Sequence, residues 1–263
     1  MKARILHVSD LHIRRLEPLD ALGALQELTA RLEPALVLAT GDLAHRGRPE
    51  ELERAAECLR SLERPLLAVP GNHDIPCTVA RLTRPFAIWT RVFGDTEPVH
   101  REDGLLVLGL NSVRPRRHQD GALSDAQLAR TRSVLETATD AFKIVALHHH
   151  VASPPWRTNK APVDRRDLVL RSLASAGADL VVSGHVHQAG LAARLEFEVF
   201  DESPSTNVVF ATVPGLGRPR PRRRGEAQGV NVYEIESETL TVTTLAWNGD
   251  DFGEVGQRTF LRT

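Results

Sequence analysis

Six short apolar runs, each closed by polar or glycine-containing residues, constrain this chain more than any other feature. They cover residues 5–8, 35–39, 66–69, 105–110, 144–147 and 180–182. Runs of this length without polar alternation fit strands buried on both faces, the habit of parallel sheets covered by helices. Helix-period segments separate them. Leu19, Leu22, Leu25 and Leu32 lie near one face of the first, and Leu52, Ala55, Ala56 and Leu59 line another. Ser124-Asp125-Ala126-Gln127 has the reciprocal capping-box pattern and opens a helix carrying Leu128, Val134 and Leu135. Residues 168–176 run into Gly177, suited to a left-handed helix stop. Strand–helix alternation to about residue 183 predicts an α/β layered fold.

Beyond that point, residues 191–200, 207–212, 230–235 and 240–245 read as strands with no helix between them. They predict a second, largely antiparallel sheet packed on the first. The expectation is one domain over 1–263, with residues 190–263 completing the second sheet. Residues 214–229 are rich in Pro, Gly and Arg and read as a loop interrupting that sheet.

Composition removes several functional classes. Lys and Arg number 33 against 34 Asp and Glu, so a net charge of −1 gives no global pull toward nucleic acid or anionic membrane. The two cysteines, Cys58 and Cys77, form no CxxC pair, which excludes a disulfide scaffold and a thiolate zinc site and fits a reducing compartment. The N-terminal segment meets Asp10 before a signal-peptide apolar region can form, and no stretch is long enough to span a bilayer. A cytoplasmic protein with no membrane partner is expected. Of 11 histidines, seven crowd beside Asp, Asn or Gly at the ends of apolar runs.

Five polar clusters share that placement: Asp10-Leu11-His12, Gly41-Asp42, Gly71-Asn72-His73-Asp74, His148-His149-His150 and Gly184-His185-Val186-His187. Each alone reads as a turn or a helix cap. Together they are more, because open α/β sheets gather ligands outside the carboxyl ends of their strands. Carboxylate, amide and imidazole donors without thiolate suit Mn, Fe, Zn, Co or Ni rather than Ca. Seven such positions exceed what one open metal site needs, and a shared carboxylate lets two ions sit about 3.5–4 Å apart. Such a centre keeps net positive charge and favours an anionic, phosphate-like substrate.

In these phrases, and in Gly121-Ala122-Leu123-Ser124 before a helix, the chain resembles the calcineurin-like metallophosphoesterases. It is most similar to the class III cyclic-nucleotide phosphodiesterases of bacteria. The likeness covers roughly residues 4–215 and is specific for the metal centre rather than the substrate. It implies a four-layer αββα sandwich of two mixed sheets flanked by helices. It implies two divalent transition-metal ions (Mn, Fe or Zn), with Asp10, His12 and His187 on the first. Asp42 would bridge, and Asn72, His148 and His185 would hold the second, with His149 the alternative to His148. The implied activity is hydrolysis of a phosphodiester, a cyclic nucleotide or similar small phosphoester, by a metal-bound hydroxide. His73 would stabilise the developing charge or protonate the leaving group. A nuclease of the DNA-repair type and a non-catalytic regulatory member are the alternatives. Nucleic acid is the less favoured partner, and a homodimer is left open.

Two departures from the family pattern matter. Phosphoprotein phosphatases carry a second Asp after Gly-Asp that orients the non-ligand histidine, and His45 stands there in this chain. That argues against protein-phosphatase activity and leaves His73 without an assigned orienting partner, Asp74 being a stand-in. Val151-Ala152-Ser153 follows the triple histidine where relatives often have Pro. Arg46 and Trp156 are the candidate substrate-binding side chains, the first through its guanidinium fork and the second as a capping wall. The arginine run at 218–224 reads as a solvated loop ahead of a polyanion contact, and Arg114, Arg116, Arg117 and His118 make a weaker offer of the same kind.

Overall fold

The computed structural model describes residues 2–16, 19–102, 104–152, 160–196, 207–217 and 228–262. Trp156 and the arginine run at 218–224 lie outside the described residues.

Twelve strands form two six-stranded sheets. The first contains β1 (Ala3–Val8), β2 (Leu36–Ala39), β3 (Leu66–Ala68), β10 (Gly229–Ile235), β11 (Thr239–Trp247) and β12 (Phe252–Leu261), in the order β12-β11-β10-β1-β2-β3. The second contains β4 (Val99–Glu102), β5 (Leu105–Leu110), β6 (Phe142–Leu147), β7 (Leu180–Ser183), β8 (Gly190–Ala193) and β9 (Val209–Thr212), in the order β4-β5-β6-β7-β9-β8. Within them β1-β2-β3 and β5-β6-β7-β9 are parallel, and the remaining pairings are antiparallel.

The alternating destinations of successive side chains explain the unbroken apolar runs. Leu36 and Leu38 of β2 enter the core between the sheets, while Val37 and Ala39 face a second core. That second core is filled by α1 (Leu22–Leu32), α2 (Pro49–Arg60) and Trp89 of α4 (Ala87–Phe93). On the other sheet, Ile144 and Ala146 of β6 face inward. Val145 and Leu147 meet the third core, with Leu128 and Leu135 of α5 (Asp125–Glu136) and Leu170 and Leu173 of α6 (Arg166–Ser175). The short α3 (Ala80–Thr83) sits outside these layers and buries no residue. The result is an αββα sandwich of two mixed sheets.

Local signals act where the sequence placed them. Ser124 Oγ accepts from Gln127 N at 3.2 Å while Gln127 Oε1 accepts from Ser124 N at 2.8 Å, opening α5. Gly177, at φ 77°, ends α6 with N–H bonds from Gly177 to Ala174 and from Ala178 to Leu173.

The C-terminal strands differ from expectation. Only β8 and β9 join the second sheet, and that sheet is mostly parallel. Strands β10–β12 instead extend the first sheet, β10 lying antiparallel to β1 with His7 opposite Asn231. An antiparallel meander was legible, but register with β1 is a long-range choice that the local pattern does not encode. The strand expected over 191–200 ends at Ala193 and passes into a 3₁₀ turn at Arg194–Glu196, and 197–200 lie outside the described residues.

Candidate metal centre

The five polar clusters meet where β1, β2 and β3 of one sheet and β6 and β7 of the other end. The backbone there is unusual. Asp10, His12, Asp42, His185 and His187 all have positive φ, at 52°, 46°, 51°, 68° and 57°. Positive φ is uncommon for residues with a Cβ, and a group of five means the surroundings hold them there. Part of the hold is visible: Asp10 N donates to Gly41 O and His12 N to Asp42 O, each at 2.9 Å. Glycine is required at 184, because a Cβ there would lie 1.9 Å from Ser9 Oγ. That close approach lets His185 N donate to Asp10 Oδ2 at 2.9 Å.

Two trios of donor atoms result. In the first, His187 Nε2 lies 3.1 Å from Asp10 Oδ1, and 3.3 Å from His12 Nε2. In the second, His148 Nε2 lies 3.2 Å from Asn72 Oδ1 and 3.1 Å from His185 Nδ1. Asp42 stands between them, with Oδ2 3.8 Å from His12 Nε2 and Oδ1 3.4 Å from His148 Nε2. Two donors each about 2.1 Å from one ion, at 90–109°, are about 3.0–3.4 Å apart, so all of these spacings but the 3.8 Å from Asp42 to His12 are those of shared coordination. Asp10 Oδ1 and Asp42 Oδ2 have no hydrogen-bond partner among the described residues although buried. Buried polar groups are rarely left so. A divalent cation beside them would satisfy both oxygens, and the donor set of oxygen and imidazole nitrogen at each trio fits a transition metal.

Electrostatics keep most of these groups in a ligand-ready form. Burial holds His12 down to about 3, and pushes His185 and His149 well below the usual imidazole range, so their lone pairs stay free. Burial alone would raise Asp10 and Asp42. Facing histidines, His187 for the first and His148 for the second, outweigh it and hold both carboxylates below their ordinary range. His148 goes the other way. Burial opposes its charge, but Asp42 prevails and lifts it to about 9. Its tautomer is set by Thr40, whose carbonyl accepts from Nδ1 at 2.7 Å and so turns Nε2 toward the cluster.

His148 is the member of the triple histidine that meets Asn72, Asp42 and His185. His149 spends Nδ1 on Ser112 Oγ at 2.8 Å and packs against Gly121, where a Cβ would come within 2.3 Å of its ring. His150 is buried, its ring 6.3 Å from that of His185.

His73 sits beside the first trio, its ring 4.9 Å from that of His12. Its orienting partner is a backbone group: His73 Nδ1 donates to the His45 carbonyl at 2.8 Å. Asp74, the stand-in considered from the sequence, has another task. Its Oδ1 and Oδ2 accept from Ala44 N and Gly71 N at 2.7 and 2.8 Å, tying the two metal-side loops together. Burial and the neighbouring Asp42 carboxylate push Asp74 up to about 8 against those two donors.

Arg46 is exposed, and its own N–H is held by Glu51 Oε2 at 2.7 Å. Two participants carried no distinguishing sequence signal: Ser112 behind His149 and the Thr40 carbonyl behind His148. The His118 ring lies 5.7 Å from that of His73. Among the described residues, no helix is long and apolar enough to cross a membrane.

Comparison with known proteins agrees with this geometry. A family model described as calcineurin-like phosphoesterase matches residues 3–189. A probable cyclic nucleotide phosphodiesterase from Synechococcus is 31% identical over 209 residues, covering 74% of this chain and 77% of that protein. A cAMP/cGMP dual specificity phosphodiesterase from Mycobacterium tuberculosis is 27% identical over 267 residues, covering 94% of this chain and 80% of its own. Among solved structures, a dimetal phosphatase from Danio rerio superposes with a TM-score of 0.68 at 14% identity over 99% of both chains. That last likeness speaks for the fold alone.

Proposed function

The chain belongs to the calcineurin-like phosphoesterase family, and from that premise we propose that it hydrolyses a small phosphodiester, a cyclic nucleotide or a close analogue, at a centre of two transition-metal ions (Mn, Fe or Zn). One observation carries the reading: the two oxygens of Asp42 face separate trios of oxygen and nitrogen donors. Asp10, His12 and His187 would hold one ion, and Asn72, His148 and His185 the other, with Asp42 shared. When bound, the ions supply Lewis-acid charge and lower the pKa of water.

The remaining work falls to side chains of this protein. Asp10 and Asp42 are the two carboxylates at the centre, so two divalent ions leave it net positive and selective for an anionic ester. His73 is fixed by the His45 carbonyl through Nδ1–H, which leaves Nε2 as its one free polar atom. Protonated there, it donates to the phosphoryl oxygens as charge develops and then to the departing alkoxide. Arg46, exposed and next to His45, would meet a phosphate oxygen through its guanidinium fork. The reading extends to one domain, supported by β1 and β10 pairing in a single sheet, and to a reducing cytoplasm, supported by unpaired Cys58 and Cys77.

The test is hydrolysis of bis-(p-nitrophenyl) phosphate, cyclic nucleotides, glycerophosphodiesters and single-stranded DNA by the Mn²⁺-loaded protein. Turnover of the small diesters, lost in Asn72→Ala, is expected. Preferential cleavage of DNA would replace the small-substrate reading with a nuclease, and unchanged turnover in Asn72→Ala would refute the centre.

A further inference from the structure

The loop that leaves the C-terminal end of β5, residues 111–121, borders both the candidate centre and a neighbouring cavity. On one side it reaches the candidate centre, through the Ser112 bond to His149 and the His118 ring beside His73. On the other it lines a cavity of 470 Å³, together with Leu82 of α3 and the turn before α6. Four guanidinium groups border that cavity, Arg114, Arg116, Arg117 and Arg165, against one carboxylate, Asp164.

These arginines differ in what already engages them. Arg165 donates to Asp125 Oδ1 at 2.8 Å and to Leu123 O at 2.9 Å. Arg117 has Asp120 and Asp164 at 3.7 and 4.0 Å. Arg114 and Arg116 have no carboxylate within ion-pair distance among the described residues, and Arg114 is half-buried. The loop that carries them is braced. Arg81 Nε and Nη2 donate to the carbonyls of Pro115 and Arg117 at 2.8 and 3.3 Å, and Ala122 N to Ser112 O at 3.0 Å. A solvated charge run would not be so fixed, whereas a preorganised cationic wall lowers the entropic cost of binding an anion. The volume suits a group of nucleotide size rather than a strand.

We propose that this cavity is a subsite for a second phosphate, carried by the substrate in addition to the scissile ester. Its ligand is then a small nucleoside phosphoester bearing a terminal phosphate, whose dianion matches the paired donors of a guanidinium fork. The inference rests on the phosphoesterase reading of the adjoining centre.

The experiment compares the p-nitrophenyl ester of thymidine 5′-phosphate with its 3′-phosphorylated counterpart, under Mn²⁺. The wild-type protein should favour the 3′-phosphorylated ester about tenfold in kcat/KM, chiefly through KM, as one or two charge-assisted hydrogen bonds imply. The double variant Arg114→Gln, Arg116→Gln should abolish the preference while hydrolysing the simpler ester at the wild-type rate, which also reports an intact fold. Equal KM for both esters in the wild type, or a preference that survives in the variant, overturns the subsite alone. A dinucleotide ester that gains more than the 3′-phosphorylated one overturns it in favour of strand binding. No hydrolysis of either ester overturns the reading of the centre itself, and the subsite with it.

Discussion

Two clusters of buried polar side chains are centred three residues apart, His7 on β1 and Asp10 just past its end, and they differ in one respect. The first, around His7, is closed on itself. His7 Nδ1 meets Tyr233 Oη and His7 Nε2 meets Thr40 Oγ1, both at 2.8 Å. Asn231 then donates to Thr212 O at 3.2 Å, and Thr244 Oγ1 donates to Asn231 Oδ1 at 2.9 Å. The second, around Asp10, holds buried oxygens, Asp10 Oδ1 and Asp42 Oδ2, that have no hydrogen-bond partner among the described residues. A satisfied network rigidifies a core, while a buried one with unanswered lone pairs is arranged for something from outside. Both contain histidine at no surface exposure, so burial does not distinguish them. The count of partners does.

The sharpest way to break this comparison is Asp42→Asn. If the open cluster is a metal centre, losing the shared carboxylate removes several kcal/mol of transition-state charge stabilisation, a fall in turnover of about 10³-fold or more. In the metal-free protein Asp42→Asn should lower the melting temperature, because it weakens the pairing of Oδ1 with His148 and with His73 N. Mn²⁺ should raise the melting temperature of the wild type but not of the variant, measured by calorimetry. Equal rises on adding Mn²⁺ in wild type and variant would take Asp42 out of the metal centre. Next comes His73→Gln, expected to lower turnover about 10²-fold while both ions remain bound, by metal analysis of the purified protein. Loss of metal in proportion to activity would assign His73 to folding or ligation instead.

The sequence distinguished the two clusters better than it described their surroundings. His12, His73, His148, His185 and His187 stand just past the ends of apolar runs, whereas His7 lies inside a run. The end position carries function because parallel strands deliver their carboxyl ends to one edge. What stayed hidden is what depends on backbone atoms or distant pairing. The partner of His73 is a carbonyl, which any residue at 45 supplies, so the missing Asp left no trace of its replacement. Strand β12 was invisible because it is an edge: Phe252 and Phe260 are buried and the residues between them are exposed, giving no alternation to read. Helix α4 is short and has no side-chain cap, and the stacking of Trp89 on Phe93 at 4.5 Å is a tertiary fact. Conversely, the capping box at Ser124 is wholly local and therefore legible.

From the closed cluster, the comparison predicts an effect on stability and none on chemistry. Tyr233→Phe removes the hydroxyl shared by His7 and Asn231 and leaves a buried imidazole nitrogen unanswered, which costs about 1–3 kcal/mol. Denaturant unfolding should show that loss, with turnover of bis-(p-nitrophenyl) phosphate within about twofold of wild type. A parallel fall in turnover would mean that the two clusters are mechanically one, joined through Thr40, whose hydroxyl meets His7 and whose carbonyl meets His148.

The last effect concerns protons. Burial lowers His7 to about 3 from 6.5, against a weaker upward pull from Asp10. Between those values the unfolded chain binds a proton that the folded chain refuses, so stability rises with pH across the window. The contribution is whole above about pH 6.5 and is lost as the pH falls toward 3. Other buried imidazoles act in the same direction, and only a difference between proteins isolates this one. In metal-free protein, the slope of unfolding free energy against pH over that window should be smaller in His7→Gln than in wild type, by up to about 1.4 kcal/mol per pH unit. An unchanged slope would mean that the network around His7 accepts the proton. The closed cluster would then be as permissive toward a cation as the open one, and the contrast between them would fail at its most basic point.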